Sequence, residues 1–212
     1  MNVLIADDHP LFREALRQVV NEALPQASIK EAPNFNAALN ALDDEEGLDL
    51  ILLDLNMPGM SGFTSLMEMR EADPATPIVI VSAAEEQDVI DRAFVVGAAG
   101  YIPKSLAKEE MVTAINTVIG GDIYRPSNGE FQTDKSKTSI TPDMMDRVNS
   151  LTRRQRNVLS LIARGKPNKL IAYELDVTNT TVKAHVTAIL RKLKVTSRTQ
   201  AAILAREIER VK

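Results

Sequence analysis

The stretch Asp49-Leu50-Ile51-Leu52-Leu53-Asp54-Leu55-Asn56-Met57-Pro58-Gly59-Met60-Ser61-Gly62 decides the fold. An apolar run with no polar alternation reads as a strand covered on both faces, as in a parallel sheet rather than a half-exposed antiparallel one. The acid at its end and the Pro- and Gly-dense loop from Asn56 to Gly62 mark where the chain leaves the sheet. Working outward from Asp49–Leu55, similar strands are predicted at Val3–Ala6, Ser28–Ala32, Pro77–Val81 and Gly100–Ile102. Amphipathic helices are predicted at Leu11–Leu24, Asn36–Leu42, Phe63–Arg70, Glu86–Val96 and Leu106–Ile119. Five βα units in this order predict an α/β fold, a doubly wound five-stranded parallel sheet of the flavodoxin-like kind.

The remainder of the chain differs. Gly120-Gly121 stops the last helix, and Asp122–Thr141 is polar with little periodicity. Beyond Leu151 the pattern is helical throughout. A capping box at Thr152 and Gln155 opens a helix ended by Gly165, and a second helix covers Leu170–Leu175. After the turn Asp176-Val177-Thr178, a third helix spans Asn179–Leu193 and a fourth runs from Thr196-Ser197 to about Arg210. The expected division is therefore an α/β domain over 1–121, a linker over 122–146 and an all-α domain over 147–212.

Charge follows the same division. Residues 1–122 hold 7 Lys/Arg against 21 Asp/Glu, a net of −14, whereas residues 151–212 hold 14 against 4, a net of +10. A basic C-terminal unit suits a polyanion such as DNA. The absence of Cys excludes disulfides and thiolate metal sites, and two histidines, His9 and His185, are too few for a zinc site. The N-terminus lacks the features of a signal peptide, and no apolar run approaches a membrane span, so a soluble cytoplasmic protein without membrane contact is expected.

In a doubly wound sheet, ligands bind at the carboxyl ends of the strands. Asp7 and Asp8 follow the first strand, Asp54 ends the third, Ser82 follows the fourth and Lys104 the fifth. Clustered carboxylates repel one another, and Mg²⁺, a hard cation with oxygen ligands, relieves that repulsion. One carboxylate is then placed to attack a phosphoryl group, while Lys104, Ser82 and the cation offset charge on the phosphoryl oxygens. In the C-terminal unit, two helices joined by a three-residue turn read as a helix-turn-helix whose second helix enters the major groove.

Ala6-Asp7-Asp8-His9-Pro10, Leu53-Asp54-Leu55-Asn56-Met57-Pro58-Gly59, Val81-Ser82-Ala83 and Gly100-Tyr101-Ile102-Pro103-Lys104 resemble the receiver domain of two-component response regulators. Leu151-Thr152, Arg154-Gln155, Asn168-Lys169, Ile171-Ala172, Thr181-Val182-Lys183 and Leu190-x-Lys192-Leu193 resemble the LuxR-type helix-turn-helix. Together they resemble the NarL/FixJ class of response regulators, and the resemblance covers nearly everything except the linker. It implies that Asp54 accepts the phosphoryl group. Asp8 and the Asn56 carbonyl would bind Mg²⁺ directly with Asp7 nearby through water, Ser82 and Tyr101 would form the switch, and Lys104 would contact the phosphoryl group. It further implies base contacts from Lys183, Ala184 and Thr187, and phosphate contacts from Asn168, Lys169, Thr180, Thr181 and His185. For His185 a satisfied interior or capping role stands as an equal alternative. The implied partners are a sensor histidine kinase and double-stranded DNA, and a transcriptional role admits RNA polymerase. Arg153, Gln155 and Lys194 depart from the usual residues Pro, Glu and Gly.

Two other functions meet obstacles in the residues. An aspartate phosphohydrolase on such a sheet uses an Asp-x-Asp pair, and Asp54-Leu55-Asn56 lacks the second acid, so no enzyme activity is expected. A DNA-binding protein gated by a small molecule, as in LuxR-type proteins that bind acyl-homoserine lactones, would not carry the carboxylate pocket. Ala201, Leu204, Ile208 and Val211 form a heptad-like stripe on the last helix, open to two readings: a seam between the subunits of a homodimer on DNA, or packing within the domain.

Overall fold

The computed structural model describes residues 1–43, 47–126 and 142–211, apart from the side chains of Pro142, Arg210 and Val211. Most of the expected linker, residues 127–141, lies outside the described residues, as does the side chain of Val211 in the apolar stripe. The N-terminal unit runs β1 (Asn2–Ala6), α1 (Pro10–Ala23), β2 (Ser28–Ala32), α2 (Phe35–Asn40), β3 (Leu50–Leu53), α3 (Phe63–Ala72), β4 (Ile78–Ser82), α4 (Gln87–Val96), β5 (Gly100–Pro103) and α5 (Lys108–Ile119). The strands pair in parallel in the order β2-β1-β3-β4-β5.

Helices on both faces explain the unbroken apolar runs. All four residues of β3 are inaccessible to solvent. Leu53 and Ile51 face the core with Leu66 and Ile80. Leu50 and Leu52 face the opposite core with Leu16, Val79 and Ile115. Burying each such side chain is worth about 1.5–3 kcal/mol, and a one-residue slip would exchange the two faces. The register Leu53↔Ala6 and Leu53↔Ile80 is thus held firmly, and with it the point where Asp54 leaves the sheet. β3 ends one residue short of Asp54, so the acid sits just past the strand and not inside it.

The C-terminal unit comprises α6 (Pro142–Asn149), α7 (Arg153–Ala163), α8 (Asn168–Leu175), α9 (Asn179–Leu193) and α10 (Arg198–Val211). The capping box forms as expected: Thr152 Oγ1 accepts from Gln155 N at 3.2 Å, and Gln155 Oε1 accepts from Thr152 N at 3.0 Å. Gln in place of the more usual Glu therefore preserves both bonds. Helix α6 straddles the expected domain boundary and packs Met144 and Val148 onto the helical core. On α10, Ala201, Leu204 and Ile208 are buried within their own unit, where α10 packs against α7. Of the two readings of that stripe, packing within the domain is the one observed.

Lys194 occupies the position where the family favours Gly, and it closes α9 in the left-handed region at φ +56°. A Cβ in that region costs about 1 kcal/mol. Lys194→Gly should therefore stabilise the helical unit by about 0.5–1 kcal/mol. Denaturant unfolding would show a higher midpoint at unchanged slope; an unchanged or lower midpoint would refute it.

Candidate functional site

The strand order reverses beside β1, and the loops after β1 and β3 diverge there to leave a crevice. Asp7 and Asp8 follow β1, and Asp54 follows β3. Asp7 and Asp54 are buried and Asp8 is partly exposed. Lys104, just after β5, places Nζ 2.7 Å from Asp54 Oδ2 and 2.7 Å from Asp7 Oδ2. Its hydrogen bond is aligned on Asp54; toward Asp7 it stands as an ion pair without an aligned hydrogen bond. Burial alone would lower the Lys104 pKa, but the close contacts with Asp54 and Asp7 and their negative charges outweigh it and raise the value above 10.5.

Other main-chain donors shape the acids. Asn56 N donates to Asp54 Oδ1 at 3.0 Å and His9 N to Asp7 Oδ1 at 2.8 Å. Arg13 Nη1 donates to the carbonyl of Asp7 at 2.7 Å and so ties the acidic turn to α1. Asp7 Oδ2 and Asp8 Oδ1 are buried oxygens with no donor aligned on them. One ligand atom from each of Asp7, Asp8, His9 and Asp54 lies within 4.8 Å of the others, and the three clustered carboxylates fit a hard divalent cation. His9 Nδ1 lies 2.8 Å from Asp8 Oδ1, and its ring is largely exposed. Asn56 and Lys104 line the same cleft as Asp54. Ser82 Oγ accepts from Ala84 N at 3.2 Å, and Tyr101, fully buried, donates its hydroxyl to the carbonyl of Ala84 at 2.7 Å. Burial and the surrounding carboxylates push the Tyr101 phenol up, against a hydrogen bond with Ser82 that lowers it. The structure thus brings Asp7, Asp8, Asp54, Asn56, Ser82, Tyr101 and Lys104 to one end of the sheet.

The helix-turn-helix is equally clear. Helices α8 and α9 flank Asp176-Val177-Thr178, with Asp176 left-handed at φ +52°. Thr178 caps α9 by accepting from Thr181 N at 3.1 Å, and the two hydroxyls share a hydrogen bond. Val182, Val186 and Ile189 anchor α9 in the helical core. Thr180, Ala184 and Thr187 are exposed, whereas Thr181, Lys183 and His185 are half-buried.

The exposed side of α9 is turned toward the α/β unit. Asp43, Gly47, Asp73 and Pro74 form one wall of a cleft whose other wall holds Thr180, Lys183, Ala184 and Thr187. Lys183 Nζ pairs with Asp73 Oδ2 at 2.7 Å. Asp73 closes α3, is 5% exposed, and accepts from Thr76 Oγ1 and Ala75 N as well. Farther along the seam, Asn168 is buried and its Oδ1 accepts from Arg198 Nη1 at 2.6 Å. Asp49, Arg198 and Asn168 share a narrow gap there. Burial lowers Arg198 to about 10, against the opposing charge of Asp49. Arg206 spans both units through Ala163, Asp122 and the carbonyl of Gly120.

Residues 3–116 match the response regulator receiver domain, and residues 149–205 match the bacterial regulatory proteins of the luxR family. The chain belongs to the response regulators with a LuxR-type DNA-binding domain. The glycerol metabolism activator of Pseudomonas putida is 42% identical over 98% of this chain and 96% of its own length. The nitrate/nitrite response regulator protein NarL of Escherichia coli is 36% identical over 95% and 93%. Among solved structures, a LuxR family DNA-binding response regulator from Silicibacter pomeroyi aligns with a TM-score of 0.54 and 29% identity over 61% of this chain and 99% of that one. The family makes this chain a transcriptional regulator, a DNA-binding class that is typically non-enzymatic. Among the described residues no helix is long and apolar enough to cross a membrane.

Sequence reasoning missed Asp73, Asp49 and Arg206, the residues that join receiver and DNA-binding domain. The opposed net charges signalled that such contacts exist. They carried no information on which acid meets which base, because Lys183 and Asp73 stand 110 positions apart.

Lys104 is 16% exposed and faces two buried acids. Removing one partner of a buried pair leaves uncompensated charge and costs several kcal/mol. Lys104→Met should destabilise the receiver by about 2–4 kcal/mol at neutral pH, with part recovered on adding Mg²⁺. Because the folded pKa of Lys104 lies above its ordinary 10.5, its contribution is whole below that value and disappears as pH rises through the folded one. The difference between wild type and variant should hold steady from pH 7 to 9 and narrow only beyond 10.5. Thermal melts across that range would show it; equal stability at pH 7 would refute the assignment.

Proposed function

We propose that this response regulator is phosphorylated on Asp54 by a sensor histidine kinase and that phosphorylation frees its recognition helix α9 for promoter DNA. The observation that carries the reading is the Lys183–Asp73 pair. The side chain assigned to base edges is held at 2.7 Å by a carboxylate of the receiver. A helix cannot offer that ammonium to DNA while Asp73 holds it.

In the transfer, an Asp54 carboxylate oxygen attacks the phosphorus of a phosphohistidine. The O–P bond of an acyl phosphate forms, the N–P bond breaks, and the imidazole leaves. Asp7, Asp8, Asp54 and the Asn56 carbonyl would hold Mg²⁺, which supplies positive charge to the phosphoryl oxygens. Lys104 moves from a carboxylate partner to a phosphoryl oxygen, and Ser82 donates its hydroxyl. Tyr101, packed beside Ser82, follows that change.

On this reading the receiver extends over 1–121, the connecting segment over 122–146 and the DNA-binding domain over 147–212, with α6 across the second boundary. Lys183, Ala184 and Thr187 read bases. Lys169, Thr180, Thr181 and His185 contact phosphates, and Asn168 joins them once the seam around Arg198 opens. Binding to two half-sites as a homodimer uses a surface other than the α10 stripe, since Ala201, Leu204 and Ile208 are committed to their own core. RNA polymerase is the partner through which bound protein acts on transcription, and a cytoplasmic location follows from these partners.

Two outcomes test the reading. Asp54→Asn should abolish incorporation of phosphate from acetyl phosphate, and excess chelator should do the same to wild type; incorporation in either case would overturn the assignment. Asp73→Asn should raise the DNA affinity of the unphosphorylated protein by about three- to tenfold, as loss of one partly buried pair allows. Titration at fixed salt would measure it, and unchanged affinity would reject the held-helix arrangement.

A further inference from the structure

The first residues after α5 make contacts that neither the receiver chemistry nor the helix-turn-helix uses. Tyr124 forms an isolated parallel bridge with Gly100 of β5. Tyr101 N donates to the carbonyl of Tyr124 at 3.1 Å, and Tyr124 N donates to the carbonyl of Ala99 at 3.3 Å. Its ring packs against the core lined by Val79, Ala99 and Ile102. The next side chain, Arg125, sets its guanidinium 4.2 Å from the centroid of the Phe94 ring and pairs with Asp91 Oδ1 at 2.9 Å. Phe94 and Asp91 both belong to α4. Pro126 follows and is buried; it favours the extended backbone that Arg125 needs beside a strand. Three residues earlier, Asp122 meets Arg206 of α10, whose guanidinium also donates to the carbonyls of Gly120 and Ala163. At that point the chain runs backbone against backbone, since a Cβ on Gly165 would overlap the carbonyl of Gly120.

Three of the four residues 122–125 are therefore fastened, each to a different element. Asp122 is held by the DNA-binding domain, Tyr124 by β5 and Arg125 by α4. The β5 residue that bonds to Tyr124 is Tyr101, whose hydroxyl side lies next to Ser82 and so next to the phosphoacceptor. We propose that residues 122–125 are a strap that locks the closed arrangement, with Arg125 as its clasp on α4. The proposal rests on the phosphorylation-controlled reading of the function. Charge arriving at Asp54 draws on Ser82 and Lys104, and Lys104 N is itself bonded to the carbonyl of Ser82 at 2.8 Å. Movement at the ends of β4 and β5 reaches Tyr101, then the paired backbone of Tyr124, and loosens the seat of Arg125 on Phe94 and Asp91. With the strap undone, Asp122 no longer fixes Arg206, and the domains part.

A half-exposed ion pair and one ring contact bias a two-state equilibrium modestly, by a factor of about three to ten. Where the closed state dominates, the apparent dissociation constant for DNA scales with that factor. The test uses the full-length protein, with and without acetyl phosphate and Mg²⁺, titrated against a duplex selected from a random library by the phosphorylated wild type. Arg125→Ala should bind that duplex three to ten times more tightly than wild type when unphosphorylated and equally when phosphorylated, at an unchanged rate of phosphorylation. Arg125→Lys keeps the charge opposite Asp91 without the planar stacking, and should fall between the two. Asp122→Asn, acting at the other end of the strap, should shift affinity in the same direction. Amide exchange at Tyr124 should quicken in phosphorylated wild type. If wild type shows a phosphorylation-dependent affinity and Arg125→Ala matches it in both states, the strap is overturned while the functional reading stands. A variant that binds more weakly in both states and phosphorylates slowly would mark Arg125 as merely structural, which also overturns the proposal. If wild type itself shows no dependence on phosphorylation, the functional reading fails first.

Discussion

Lys104 is the cation that lets the acidic end of the sheet exist. Asp7 and Asp54 are buried, and taking charged groups out of water is costly without an opposite charge as partner. One ammonium, 2.7 Å from each, supplies it. Three carboxylates, those of Asp7, Asp8 and Asp54, still crowd around that one ammonium. A pocket balanced in this way answers strongly to added charge. On the proposed function, a phosphoryl group on Asp54 would compete for Lys104 directly.

The seam between the domains follows the opposite rule from the cores. Each domain is held mainly by apolar side chains, while the seam mixes apolar residues such as Ala75, Val118 and Ile162 with Lys183–Asp73, Arg206–Asp122 and the polar group of Asp49, Asn168 and Arg198. It also carries buried cations that give up solvation. Burial lowers Arg198 to about 10, and it lowers Arg70, whose Nη1 donates to the carbonyl of Gly97 at 2.6 Å, to about 10 as well. Desolvated cations offset part of what the ion pairs contribute. A seam rich in polar pairs suits relative motion of the two domains better than a wholly apolar one would.

What the sequence made legible and what it hid divide along a physical line. The unbroken Leu50–Leu53 run announced a strand buried on both faces, and the order of runs announced the parallel sheet. From these the meeting of Asp7, Asp54, Ser82 and Lys104 at one edge followed by topology alone. The turn at Asp176 and the apolar spacing of α9 made the helix-turn-helix equally plain. Contacts between domains left no such trace. Lys183 reads as a base contact, and only the fold shows it paired with Asp73, 110 positions away. The stripe on α10 was ambiguous because one helical period serves packing within a domain as well as pairing between subunits. Helix α6 is short and preceded by polar sequence, so periodicity gave little warning of it.

On the proposed function Lys183 ties these themes together, because one ammonium would serve two partners that exclude each other. It is held by Asp73, and free of Asp73 it would face nucleic acid. Its charge cannot be tuned for one role without altering the other, so truncating it weakens closure and DNA recognition at once, and the two losses act in opposite directions on apparent affinity. Thermodynamic linkage then fixes a further consequence. If phosphorylation at Asp54 raises DNA affinity by some factor, bound DNA must favour the phosphorylated protein over the unphosphorylated one by the same factor. On that account the promoter is a ligand of the switch as well as its target, and DNA pulls on the same Lys183–Asp73 pair from the opposite side.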